Sequence, residues 1–150
     1  MALTALMLSG NALADKEEKT GTSSLGVGAG MALERKRDEE EETYAASIGY
    51  NYRFAPRWSI GGVGEFLGSD TVRDVALIAV ASFHATDHLK LMLGPGAEFD
   101  GSHAEPLFRF GAGYAFHLNH HWSVSPEFNY DAVSGGKRTY ILSLVVDYEF

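Results

Sequence analysis

The stretch Thr139-Tyr140-Ile141-Leu142-Ser143-Leu144-Val145-Val146-Asp147-Tyr148-Glu149-Phe150 alternates. Tyr140, Leu142, Leu144, Val146, Tyr148 and Phe150 share one parity. Thr139, Ser143, Asp147 and Glu149 share the other, with Ile141 and Val145 as its apolar exceptions. Successive side chains of a strand point to opposite faces, so this is a strand with one greasy and one mixed face.

Working back from that strand, the same pattern recurs. Strands are expected over Ser24–Glu34, Glu42–Phe54, Trp58–Leu67, Asp74–His84, His88–Asp100, Leu107–His117 and His121–Asp131. Their apolar parities include Leu25, Val27 and Met31; Tyr44, Ile48 and Tyr52; Leu89, Leu91 and Leu93; and Trp122, Val124 and Phe128. The opposite parities are rich in Gly, Ser and charge. Pro95 and Pro126 each remove one ladder donor, so local irregularity is expected there. Three connections are tight and polar: Ala55-Pro56-Arg57, Ala85-Thr86-Asp87 and Leu118-Asn119-His120. Short connections make sequential strands antiparallel neighbours, and the hairpins form a weak repeat of roughly 30 residues.

A chain of 150 residues is one domain. No apolar run approaches the roughly 18 to 20 residues that a spanning helix needs. A formal charge of -8 argues against nucleic acid as a partner, because phosphate binding needs a basic surface. The lack of Cys excludes disulfides and thiolate metal sites. Residues 1–14 read as a secretory signal: Met1 to Leu8 is apolar, and Ala12-Leu13-Ala14 is an A-x-A cleavage triplet. The cationic segment that opens such signals is missing, so this start reads as truncated or misassigned. Residues 15–23 then form an N-terminal tail and 24–150 the barrel.

Alternation alone does not say which face is inside. A soluble lipocalin-like barrel also has eight strands, but its interior is apolar. Here aromatic residues gather at the strand ends of the apolar face, as a membrane-interface girdle requires. The small residues of the other face suit the narrow interior of an eight-stranded barrel. The expected fold is therefore all-β, an eight-stranded antiparallel up-and-down transmembrane β-barrel.

The chain resembles the small eight-stranded outer-membrane β-barrels, of the OmpA transmembrane-domain and related outer membrane protein β-barrel type. The resemblance covers Ser24 to Phe150. It rests on Gly26-Val27-Gly28, Gly111-Ala112-Gly113 and the closing Val146-Asp147-Tyr148-Glu149-Phe150. It implies the outer membrane of a Gram-negative bacterium, contact with its lipid and lipopolysaccharide, and an assembly signal at Phe150 read by the insertion machinery. Many adhesins of the family have long outward loops, whereas these are short.

Parity points Arg53, Glu65, Lys90, Glu98, Arg109, Glu127, Asp131 and Asp147 into the lumen, with Glu34, Asp100 and Glu149. Buried charges must be paired or hydrated, so a structural salt-bridge plug is expected, with a gated pore or proton path as the sharper alternative. His84, His88, His117 and His121 flank two neighbouring turns on inward parity, and grouped imidazoles could bind a transition metal. The mixed-charge block Glu34 to Glu42 is expected to be a solvated loop. Ser69, Ser102, His103 and Ser134 are the rim residues that an enzyme could use, but the His-x-Ser pair of lipid A deacylases is absent: Asn129-Tyr130-Asp131 stands there.

The expected function is a structural or surface-interaction role for a monomer with a plugged lumen, no cofactor and no enzymatic activity. The alternatives are a narrow channel for small solutes or ions, and a lipid-modifying outer-membrane enzyme.

Overall fold

The computed structural model describes residues 20–36, 39–68, 73–99, 101 and 103–150; the signal-like segment 1–14 lies outside them. The strands are β1 (Ser23–Lys36), β2 (Glu39–Ala55), β3 (Trp58–Gly68), β4 (Arg73–His84), β5 (Leu89–Phe99), β6 (Ala104–Tyr114), β7 (Phe116–His117), β8 (Trp122–Val133) and β9 (Arg138–Glu149). β6 and β7 are one stave interrupted at Ala115. Both keep one register against β8, from Leu107↔Val133 through Gly113↔Glu127 to Phe116↔Val124. The same register sets Tyr114 opposite Pro126, which has no N–H to offer.

With β6 and β7 counted as one stave, every stave pairs antiparallel with its neighbours in sequence. The pairing β1–β9 joins the two ends of the chain, and β6–β8 completes the circle. The result is a closed eight-stave, up-and-down barrel, which leaves no open edge to pair with another chain. The tight turns lie at one pole with the hydrogen-bonded pair Ser23 and Phe150; this is the turn end. The other pole, holding the β8–β9 hairpin, is the loop end.

Pro95 interrupts pairing without shifting it. β4 and β5 pair through Ile78↔Gly96 and resume at Ala81↔Leu93, so Ala79 and Val80 have no ladder partner there. Gly94 fills the gap: a Cβ on it would collide with the backbone of Ala79 and Val80. The register shift falls elsewhere, between Arg53 and Ala55 in the β2–β3 hairpin.

The charged block corrects one expectation. Glu34, Arg35 and Lys36 pair with Glu41, Glu40 and Glu39, so most of it extends the β1–β2 ribbon. At Arg35↔Glu40 opposite charges face one another across the ribbon, and Arg35 bonds Glu40 at 2.7 Å.

The apolar parity is outside on every strand. Leu25, Val27, Met31, Ile48, Ile60, Leu77, Leu91, Leu93, Leu142 and Leu144 are all exposed and form an aliphatic belt. Aromatic rings flank it. At the turn end Trp58 meets Phe83 at 5.0 Å and Trp122 meets Tyr148 at 4.9 Å. Toward the loop end stand Tyr44, Phe66 and Phe99, with Tyr130 against Tyr140 at 5.2 Å.

The lumen is less polar than parity counting implied. Ala76, Ile78, Val80, Leu107 and Val133 form one buried cluster, and Ala32, Ala45, Leu67 and Ile141 another. Small residues alone would leave voids in the lumen. Branched side chains fill it at the levels where no ion pair does.

Candidate functional site

The lumen holds the polar chemistry in levels. At mid-depth, pairing sets Arg109 of β6 opposite Asp131 of β8. The guanidinium donates to Asp131 from Nε (2.6 Å) and Nη2 (2.7 Å). Its other edge crosses to Glu65 of β3, from Nη2 (2.6 Å) and Nη1 (3.2 Å). All three residues are at most 4% exposed. A planar fork of five donors can serve two carboxylates at once, which an ammonium cannot.

One level toward the turn end, Lys90 pairs with Glu127 at 3.1 Å. Asp147 borders the same space. The predicted lumen charges thus fall into separate groups: Arg109 with Glu65 and Asp131, Lys90 with Glu127, and Glu98 and Arg53 each with other partners. Asp100 lies outside the described residues.

At the turn end Arg53 Nη2 lies 2.9 Å from His84 Nδ1, and His84 Nε2 lies 3.1 Å from Ser59 Oγ. This has the look of a serine–histidine dyad with the wrong polarity. A guanidinium only donates, so Nδ1 accepts and Nε2 carries the hydrogen. Nε2–H then donates to Ser59, and a general base would have to present a lone pair there.

Of the four candidate histidines, the structure brings two together. His88 and His117 have ring centroids 5.5 Å apart. His88 Nδ1 bonds the Ala115 carbonyl, and His117 Nε2 the Asp87 carbonyl. His84 turns to Arg53 and Ser59, while His121 Nδ1 bonds the Glu149 carbonyl beside Tyr148. Among the described residues, the metal-ligating donors that converge are instead the carboxylates of Glu34, Asp74 and Glu98.

Those carboxylates surround a residue that strand parity did not single out. Lys137 Nζ lies 2.5 Å from Glu98 Oε1, 3.3 Å from Glu34 Oε1 and 3.6 Å from Asp74 Oδ2. Lys137 sits in the β8–β9 hairpin, where Val133 N–H bonds its carbonyl and Gly135 and Gly136 have positive φ. Alternation gives no direction for a hairpin residue; the Gly-Gly-Lys run was the available signal. Burial opposes the Lys137 charge, but the bond to Glu98 and the surrounding carboxylates outweigh it and hold the ammonium above the ordinary lysine range.

Of the rim residues, Ser69 and Ser102 lie outside the described residues, and Ser134 is exposed in the hairpin. A cavity of about 90 Å³ opens at the turn end and a second of about 40 Å³ follows toward mid-depth; Asn51, Lys90 and Asp147 line both.

Strand number, connectivity, closure and inverted amphipathicity define the class: this chain has the fold of the small eight-stranded outer-membrane β-barrels. Solved structures of that class superpose on nearly all of the described chain. Neisserial surface protein A matches with a TM-score of 0.71 at 14% identity, covering 87% of this chain and 99% of its own. Ail, the attachment invasion locus protein of Yersinia pestis, matches with a TM-score of 0.65 at 15% identity, over 87% and 99%. The N-terminal β-barrel domain of Pseudomonas aeruginosa OprF matches with a TM-score of 0.64 at 12% identity, over 87% and 98%. At such identities the likeness is one of fold. No protein-family model and no curated sequence matches the chain.

Proposed function

We propose that this protein is an outer-membrane barrel of a Gram-negative bacterium with a structural or surface-interaction role, non-enzymatic, its lumen closed by its own side chains. The observation that carries this reading is the Arg109 bridge. One guanidinium spans the barrel from Asp131 to Glu65 at mid-depth, with Leu67, Leu107 and Val133 buried next to it in sequence on the loop side. The exposed aliphatic belt between aromatic rings supports the membrane setting. The partners in this reading are lipid and lipopolysaccharide around the belt and the assembly machinery at Phe150. The reversed polarity of Ser59–His84 supports a non-enzymatic role.

Planar-bilayer recording on the refolded barrel tests the closure. No steady unit conductance is expected, and a reproducible unit step would replace this reading with the second one, a narrow channel. That second reading draws on the two cavities sharing Asn51, Lys90 and Asp147, a polar path reaching partway in from the turn end. Lipid A mass spectrometry with and without the protein tests for a lipid-modifying enzyme; an unchanged spectrum is expected.

A further inference from the structure

Among the described residues, three buried carboxylates at the loop end of the lumen share one lysine. Glu34, Asp74 and Glu98 are 7%, 3% and 4% exposed, and their oxygens lie within 4.8 Å of one another. The strand register adds an acid pair directly across from each other, Glu98↔Glu105. Like charges in that position repel. Lys137 supplies a single positive charge to this group.

A second observation points to a missing partner. Thr139 stands directly opposite Glu34 across the β1–β9 ladder, on the lumen face. It is 0% exposed, and its hydroxyl oxygen has no hydrogen-bond partner. Glu34 Oε1 is likewise without a hydrogen bond: its 3.3 Å approach to Lys137 is an ion pair without bonding geometry. Buried polar atoms without partners are rare in folded proteins. Among the described residues, two of the five such side-chain atoms, on Glu34 and Thr139, belong to this level; the others are on Thr43, Ser82 and Asn129.

We infer that Glu34, Asp74 and Glu98 form a binding site for a hard divalent cation, and that Lys137 is a tethered ammonium occupying it in the metal-free state. The donors are all oxygen, which suits calcium-class ions rather than zinc or copper. Three carboxylates from three different staves can close around one ion, with the Thr139 hydroxyl at hand beside Glu34. Cation entry displaces the Lys137 side chain, and the hairpin carrying it contains Gly135 and Gly136 at φ 90° and 88°.

The test is calorimetric titration of calcium chloride into the full refolded chain at constant ionic strength. Lys137→Gln removes the competitor and should bind calcium about tenfold more tightly than the unmodified barrel, because affinity follows the charge of the ligand set. Glu34→Gln with Glu98→Gln in that background should abolish the gain. Equal weak heats from Lys137→Gln and the triple variant would overturn the inference. Should Lys137→Gln fail to refold, manganese(II) relaxation of amide signals in the unmodified barrel decides. Selective broadening around Glu34, Asp74 and Glu98 is expected. Broadening centred on the exposed Glu40 and Glu42 would mean nonspecific surface binding and would overturn it.

Discussion

Arg109 bridges two buried carboxylates from opposite walls of the lumen. Removing it leaves Glu65 and Asp131 buried and uncompensated, a lesion that typically costs about 3–5 kcal/mol. Arg109→Leu is therefore expected to lower unfolding stability by that order in urea titrations of the refolded barrel. Neutralising both partners in the same chain, with Glu65→Gln and Asp131→Asn, should recover much of the loss. If the single and triple variants were equally unstable, packing rather than charge would be at stake. His84 offers a second measurement at this scale. Arg53 donates to its Nδ1, so nitrogen NMR should find the neutral ring with its hydrogen on Nε2. Arg53→Leu should release that constraint and let the tautomers mix.

Strands show where sequence reading succeeded and where it stopped. The alternation of Tyr140, Leu142 and Leu144 against Thr139 and Ser143 was sufficient for β9, because a one-residue slip would exchange its faces. Leu91→Arg or Leu144→Arg in the belt should cost about 2–4 kcal/mol, and Tyr44→Arg in the loop-end ring nearer 0–1 kcal/mol. Equal costs in refolding titrations would contradict the belt. Gly94 was invisible as anything but an inward small residue. Its role depends on Pro95 beside it and on β4 approaching too closely for a Cβ. Gly94→Val should destabilise the barrel by about 1–3 kcal/mol, as overpacking does; a neutral result would mean that β4 yields freely. Lys137 was missed because a hairpin residue has no parity, Val133 because the strand carrying it was expected to end at Asp131, and the other apolar lumen residues because Ile78 and Leu107 sit on the face expected to be polar.

At the scale of the whole barrel, the lumen is a stack. Leu67 lies two residues from Glu65, Leu107 two from Arg109 and Val133 two from Asp131, all on the loop side and all buried. Ala32 and Ile141 sit two residues inward from Glu34 and Thr139 on the other wall. This apolar tier separates the Arg109 level from the Lys137 level, and no ion pair among the described residues joins the two. The two levels are therefore energetically insulated from each other. Faults that share no partner add, so the stability change of Arg109→Leu with Lys137→Gln should equal the sum of the two single changes within about 0.5 kcal/mol. A larger coupling would mean that charge is felt through the tier. Additivity would mean that the outer level can exchange its cation while the mid-barrel bridge keeps its strength.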